Sequence, residues 1–209
     1  MREGEPTTEG PLRVWHHFDG RAISLRTLEL AAGASATLQN DGLDEVLYVV
    51  SGRGTAQRPI AADHGIYLPA GAQLLLHAEE TMTLISSRSP AEAAAPREPL
   101  VVSMHDCAVE RTGDRWYREL ITAEVTQFVG SIPPGRAPDH FHLYEEVLCI
   151  LQGEGVMWAG RSHTPIAAGS CVYLPIRQVH CVENTGSGEL RLLGVFYPAG
   201  SPAVRYAPG

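Results

Sequence analysis

Residues 44–54 read DEVLYVVSGRG and residues 145–155 read EEVLCILQGEG. Glu45 falls opposite Glu146 and Gly52 opposite Gly153, each pair 101 residues apart. A second match follows, IYLPAG at 66–71 against VYLPIR at 172–177, with Pro69 opposite Pro175. Apolar strands resemble one another by chance, but matched Glu, Gly and Pro positions do not. A repeat of roughly 100 residues made of short strands implies two copies of one small β-fold.

Working outward, the first copy reads as strands AISLRTLEL, EVLYVVSG, IYLPAG, QLLLHA and MTLISSR, punctuated by Gly33, Asp41-Gly42, Gly52, Gly54 and Gly71. Residues 86–99, SSRSPAEAAAPREP, break that pattern with Ala, Pro and charge, as a linker or a short helix over Pro90–Ala95 would. The strands then resume with LVVSM, TAEVTQFVGSI, EVLCILQGEGVMWAG, SCVYLPI and LRLLGVFYPAG. The expected layout is an irregular arm at 1–20, a first barrel at 21–86, a linker at 87–106, a second barrel at 107–200 and a tail at 201–209. The fold class is therefore all-β, as two tandem jelly-roll-like barrels.

Bulk properties narrow the functions. The 209 residues are 44% hydrophobic and 19% charged, enough apolar material for two small cores. A formal charge of −8 and no basic cluster argue against nucleic acid or an anionic membrane as partner. No apolar run approaches the roughly 18–20 residues that span a bilayer, and MREGEPTTEG lacks a signal-peptide pattern. Cys107, Cys149, Cys171 and Cys181 show no CxxC spacing and read as buried free thiols in a reducing cytoplasm. Sheet edges in such barrels are commonly covered by a second copy, so a homodimer is an open expectation.

The chemistry lies in the second copy. His140 and His142 alternate along an extended chain and so share a face, and Glu146 keeps their parity. His180 follows the strand that ends at Pro175. Two imidazoles and a carboxylate on an inner face are costly to bury without a metal. Three His and one Glu suit one divalent transition metal (Fe, Mn, Ni, Co or Zn). The remaining histidines, His16, His17, His64, His77, His105 and His163, read as structural or surface residues. Cys181 beside His180 should face away from the metal, because neighbours on a strand point to opposite faces.

These motifs resemble those of the cupin superfamily. Gly135, then His140-x-His142, then Glu146 and Gly153 are similar to the first cupin motif, with one residue fewer between Gly135 and His140. Gly169, Pro175-x-Arg177, His180 and Asn184 are similar to the second, with Arg177 where the family has glycine. The resemblance implies that His140, His142, Glu146 and His180 are the ligands. In the first copy Gln39, Asp41, Glu45 and Leu74 occupy the corresponding positions, which implies a barrel that has lost its metal.

The resemblance also implies a small-molecule substrate. A dioxygenase-type oxidoreductase is the leading expectation, with Phe128, Phe141, Tyr144, Trp158 and Tyr173 as aromatic surroundings. A Lewis-acid isomerase, hydrolase or decarboxylase, with Tyr144, Glu145 or Arg177 as acid–base or anion-binding residues, is the alternative. A sensor or binding module without turnover is the third. Asp139, Glu145, Gln178, Glu183 and Asn184 are candidates for orienting the ligand imidazoles.

Overall fold

The structure is a computed structural model and describes residues 4–91 and 98–208. The chain divides into two compact units, Met1–Cys107 and Ala108–Gly209. The first contains β1 (Thr7–Glu9), β2 (Leu12–Asp19), β3 (Ser24–Leu30), β4 (Ser35–Gln39), β5 (Leu43–Ser51), β6 (Arg53–Ala56), β7 (Arg58–Ala61), β8 (His64–Leu68), β9 (Gln73–Ala78), β10 (Met82–Pro90) and β11 (Leu100–Ser103). The second contains β12 (Glu110–Thr112), β13 (Arg115–Thr122), β14 (Thr126–Ile132), β15 (Gly135–Arg136), β16 (Glu145–Gln152), β17 (Glu154–Ala159), β18 (Ser162–Ala167), β19 (Cys171–Leu174), β20 (His180–Asn184) and β21 (Leu190–Tyr197).

Each unit pairs a long antiparallel sheet with a four-stranded one. In the first the orders are β1-β2-β3-β10-β5-β8-β11 and β4-β9-β6-β7; in the second, β12-β13-β14-β21-β16-β19 and β15-β20-β17-β18. Apart from the edge strand β11, the second set is the first with every strand number raised by eleven. The repeat in the sequence is thus a repeat of topology, two tandem jelly-roll-like barrels in an all-β chain.

The matched segments occupy matched places. DEVLYVVSGRG and EEVLCILQGEG supply β5 and β16, turn at Gly52 and Gly153, and return as β6 and β17. Both glycines have positive φ, +84° and +88°. A Cβ at Gly153 would lie 3.0 Å from the Glu189 carbonyl oxygen, and one at Gly52 would strike the Thr81 carbonyl. Only glycine meets both demands without strain. Inside the first barrel Leu28, Leu38, Leu47, Ile66, Leu74, Leu76 and Leu84, drawn from both sheets, close the core. Phe128, Leu148, Ile150, Met157, Leu174, Leu190 and Phe196 do the same in the second.

Three expectations about the layout need correction. The supposed irregular arm holds β1 and β2, because Gly10-Pro11 is the turn of a hairpin in which Glu9 pairs with Leu12. Leu12, Val14 and Trp15 are buried there. The supposed linker begins inside β10, which runs on to Pro90 beside β5. Ser86, Ser87 and Ser89 are buried in it, since short hydroxyls can be satisfied internally: Ser87 Oγ donates to the Ser24 carbonyl at 2.8 Å. The linker's far end is β11, paired with β8. The short helix expected over Pro90–Ala95 lies largely outside the described residues. The supposed tail is tied down as well, Phe141 and Tyr206 exchanging backbone hydrogen bonds and stacking at 5.5 Å.

The four cysteines are free, and the Cys149 and Cys171 sulfurs lie 3.3 Å apart on adjacent strands. No helix among the described residues is long and apolar enough to cross a membrane.

Candidate metal centre

His140 and His142 sit on an extended segment just before β16. His140 bridges to His180 at the start of β20, each backbone N–H donating to the other's carbonyl at 2.8–3.0 Å. After a bend at Leu143–Tyr144, β16 brings Glu146 back to the same point. The ligand atoms of His140, His142 and His180 lie within 4.8 Å of one another, the one such group among the described residues. Glu146 Oε2 is 3.3 Å from His180 Nε2 and 3.7 Å from His142 Nε2. The structure brings all four residues singled out from the sequence together.

What orients the rings is backbone. His140 Nδ1 lies 2.9 Å from the Pro138 carbonyl, His142 Nδ1 3.0 Å from that of Val204, and His180 Nδ1 2.8 Å from that of Gln178. A carbonyl oxygen only accepts, so each Nδ1 carries the hydrogen and each neutral ring leaves Nε2 with a bare lone pair. Glu146 Oε2 is buried without a hydrogen-bond partner. Three free imidazole nitrogens beside an orphaned carboxylate oxygen are the donor set of a divalent metal. They fit one as they stand.

The side chains expected to orient the rings do other work. Asp139 pairs with Arg136 at 3.0 Å, Glu183 accepts from Trp158 Nε1 at 2.9 Å, and Asn184 Nδ2 donates to the Ile132 and Gly188 carbonyls. Backbone acceptors leave no mark in residue identity, which is why sequence reasoning missed them.

Electrostatics separates the three imidazoles. Burial, then the neighbouring His180, lowers the His140 pKa to about 4. Burial also lowers that of His142, with Glu146 opposing. For His180 burial is outweighed by the Glu146 carboxylate, and its pKa is raised. In the metal-free protein His180 is therefore expected to protonate first, above about 6.5, the ordinary histidine value, and His140 only near 4. The raised His180 pKa stabilises the metal-free fold in acid, a contribution lost as pH rises through it. A metal must displace that proton, so affinity should weaken below the His180 pKa. Imidazole signals followed by NMR across a pH titration check the order. His140 protonating before His180 would contradict it.

These ligands line one end of a cavity of about 110 Å³. Trp116, Tyr117, Phe128, Leu148, Leu192 and Phe196 make its apolar walls, and Arg115 and Arg205 also line it. Of the aromatic residues expected at the site, only Phe128 belongs to the lining. Phe141 stacks on Tyr206, and Trp158 packs against Arg136 and His163.

The proposed catalytic trio is also displaced from the cavity. Tyr144 donates its hydroxyl to the Ser201 and Val204 carbonyls at 2.8 and 3.2 Å and stacks on His142. Burial, then the Glu146 charge, push its phenol well above the ordinary range. Glu145 has the opposite strand parity from Glu146, and Arg177 is exposed. Arg177 has φ 65°, the left-handed backbone the family's glycine would adopt, and its N–H donates to the His142 carbonyl at 2.9 Å. Cys181, as expected, points elsewhere, its sulfur 3.2 Å from Arg136 Nε.

In the first barrel the residues at the corresponding positions do other work. Glu45 is fully buried and accepts from Arg26 Nη2 at 2.8 Å, Arg88 Nε at 3.2 Å, Asn40 and Ser86. Burial raises its pKa, but the Arg26 and Arg88 charges and the two hydrogen bonds outweigh that and hold it low. Leu74 is buried in the apolar core, while Gln39 and Asp41 are exposed.

Known proteins give this geometry a context. Residues 128–196 match the Cupin domain family. Auxin-binding protein 1 of Arabidopsis thaliana is 34% identical over 80 residues, 34% of this chain and 40% of that protein. An oxalate-binding protein of Thermotoga maritima is 38% identical over 66 residues, 31% of this chain and 54% of its own. The matches thus span about half or less of these relatives. Among solved structures, the Lactobacillus farciminis oxalate decarboxylase formate complex superposes with a TM-score of 0.76 at 14% identity, over 95% of this chain and 85% of that one, a likeness of fold. The segment that matches the Cupin domain family contains His140, His142, Glu146 and His180.

Proposed function

We propose that the C-terminal barrel holds one divalent transition metal through His140, His142, His180 and Glu146 and uses it to oxidise a small organic molecule in the manner of a dioxygenase. The N-terminal barrel, in this reading, is a second cupin whose metal has been replaced by the Arg26–Glu45 pair. The observation that carries the proposal is the composition of the cavity. Beyond the four ligands its ionisable lining consists of Tyr117 and two arginines, with no second carboxylate, imidazole or lysine to move protons.

A divalent iron, manganese or related ion held by His140, His142, His180 and Glu146 would supply one-electron chemistry. The chain's own residues do the rest. The Nδ1–H bonds hold each ring in the tautomer that presents Nε2, and Glu146 adds a compensating negative charge. Trp116, Phe128, Leu192 and Phe196 exclude water and seat an apolar body. With dioxygen as oxidant and both its atoms ending in the product, no further reductant is required.

A Lewis-acid isomerase or decarboxylase is less favoured, because beyond the ligands Tyr117 is the one side chain of the lining suited to general acid–base work. Uptake without turnover is the second reading, and the names of the two curated relatives, an auxin-binding and an oxalate-binding protein, favour it. The free thiols fit residence in the cytoplasm, and a homodimer belongs to the same reading.

The test is oxygen uptake. Iron-loaded protein offered small aromatic acids, diphenols and diketones is expected to consume dioxygen in step with loss of one of them. Equal turnover under argon with zinc would overturn this in favour of Lewis-acid chemistry. Tight uptake with no turnover under any metal would leave the binding reading.

A further inference from the structure

Two cations line the same cavity, and nothing in the proposed metal centre uses them. Arg115, at the start of β13, and Arg205, in the C-terminal segment, both contribute to its wall. Arg115 Nε is buried without a hydrogen-bond partner. Neither guanidinium has an ion pair within 4 Å among the described residues. Each lies within electrostatic reach of the other, Arg205 also acts on His142, and both line the cavity that His140, His142, Glu146 and His180 line. Asp114, the nearest acid, offsets the Arg115 charge only in part, and burial followed by Arg205 holds its pKa below the ordinary value.

Contrast shows why this is unusual. Arg26, the buried arginine of the first barrel, is paired with both Glu45 and Glu9. Two neighbouring guanidiniums partly removed from water repel one another and lose hydration. A structural role would bring a carboxylate from the chain, as it does for Arg26. Here the cavity that both arginines line is where an anion would complete the pair.

We propose that Arg115 and Arg205 form a carboxylate clamp, so that the cavity takes a small organic monocarboxylate with an apolar, ring-sized body. A planar two-oxygen anion matches the guanidinium fork, and two forks hold it in one orientation. The body then lies against Trp116, Phe128, Leu192 and Phe196. The carboxylate is chosen over a phosphate ester because its two oxygens in one plane match the guanidinium fork. This inference rests on reading the cavity as a ligand site, but not on the metal being present.

The experiment uses the full chain, stripped with chelator and, separately, zinc-loaded. Phenylacetate and its neutral isostere phenylacetamide are the probes, with phenyl phosphate as third arm, and binding is read by calorimetry and tryptophan fluorescence. Wild type is expected to prefer the acid over the amide by about 10-fold or more in both forms, the range of a charge-assisted pair. The double variant Arg115→Gln/Arg205→Gln is expected to lose that preference while keeping amide affinity and metal content. Arg115→Lys should recover part of it. Equal binding of acid and amide by wild type overturns the proposal. So does an acid preference that needs zinc and survives the double variant, which puts the carboxylate on the metal instead. Phenyl phosphate binding more tightly than phenylacetate through the same arginines overturns the choice of anion. If metal binding fails but the stripped chain still prefers the acid, the metal reading falls and the clamp stands.

Discussion

Alanine at His142 is expected to leave the protein folded and essentially metal-free. Loss of a residue that merely orients a ligand costs about 10–100-fold in metal affinity, so loss of a ligand should cost at least about 100-fold. His140→Ala and Glu146→Ala should behave alike. Glu146 is the cleanest case, because Oε2 has no other partner and its removal deprives the protein fold of no hydrogen bond at that oxygen. In the metal-free chain that substitution also removes the charge facing protonated His180, so the thermal midpoint should fall in acid and change little above the His180 pKa. Metal content by elemental analysis, competition against a chelator and thermal melts check these together. Wild-type metal content in any of the three variants would contradict the assignment.

Glu45→Ala should do the reverse. It is expected to destabilise the N-terminal barrel by about 3–5 kcal/mol, the usual loss when one partner of a buried ion pair is removed, and to leave metal content near wild type. The loss arises because Arg26, 3% exposed, keeps only the half-exposed Glu9 as a carboxylate partner, beside the neutral Ser86 hydroxyl. A double replacement of Arg26 and Glu45 by leucine should be milder than either single one, since no charge is then left alone. The same pair sets an acid limit. The Glu45 pKa is lowered, so its contribution is complete above about 4.3 and disappears as pH falls through the depressed value. Denaturant melts at several pH values measure both effects. A Glu45→Ala variant that loses its metal would place the site in the wrong barrel.

These two carboxylates, 101 residues apart, show how much of the molecule the sequence carries. Glu45 and Glu146 occupy the same place in β5 and β16, and the glycines after them turn the same hairpin, so local pattern was enough for fold and repeat. The four candidate ligands were legible too, His140, His142 and Glu146 through parity along the chain and His180 through the motif it resembles. What surrounds them was not. Val204 and Arg205 reach the site from a segment that begins 62 residues after His142, and its role depends on a backbone carbonyl and a chain path. Trp116 and Arg115 were hidden similarly, since β13 alternates too weakly in hydrophobicity to announce an inner face. Arg26 was the least readable of all. An arginine in LRTLEL looks solvent-facing until its partner, Glu45, is found buried beside it.

The most direct test is an anomalous difference map from crystals of the full chain grown with an excess of one transition metal, collected at its absorption edge. The account predicts one strong peak in each chain, bonded by Nε2 of His140, His142 and His180 and by the Glu146 carboxylate at about 2.0–2.3 Å. A peak beside Glu45, ligation through Nδ1, or no peak at this cluster would contradict it.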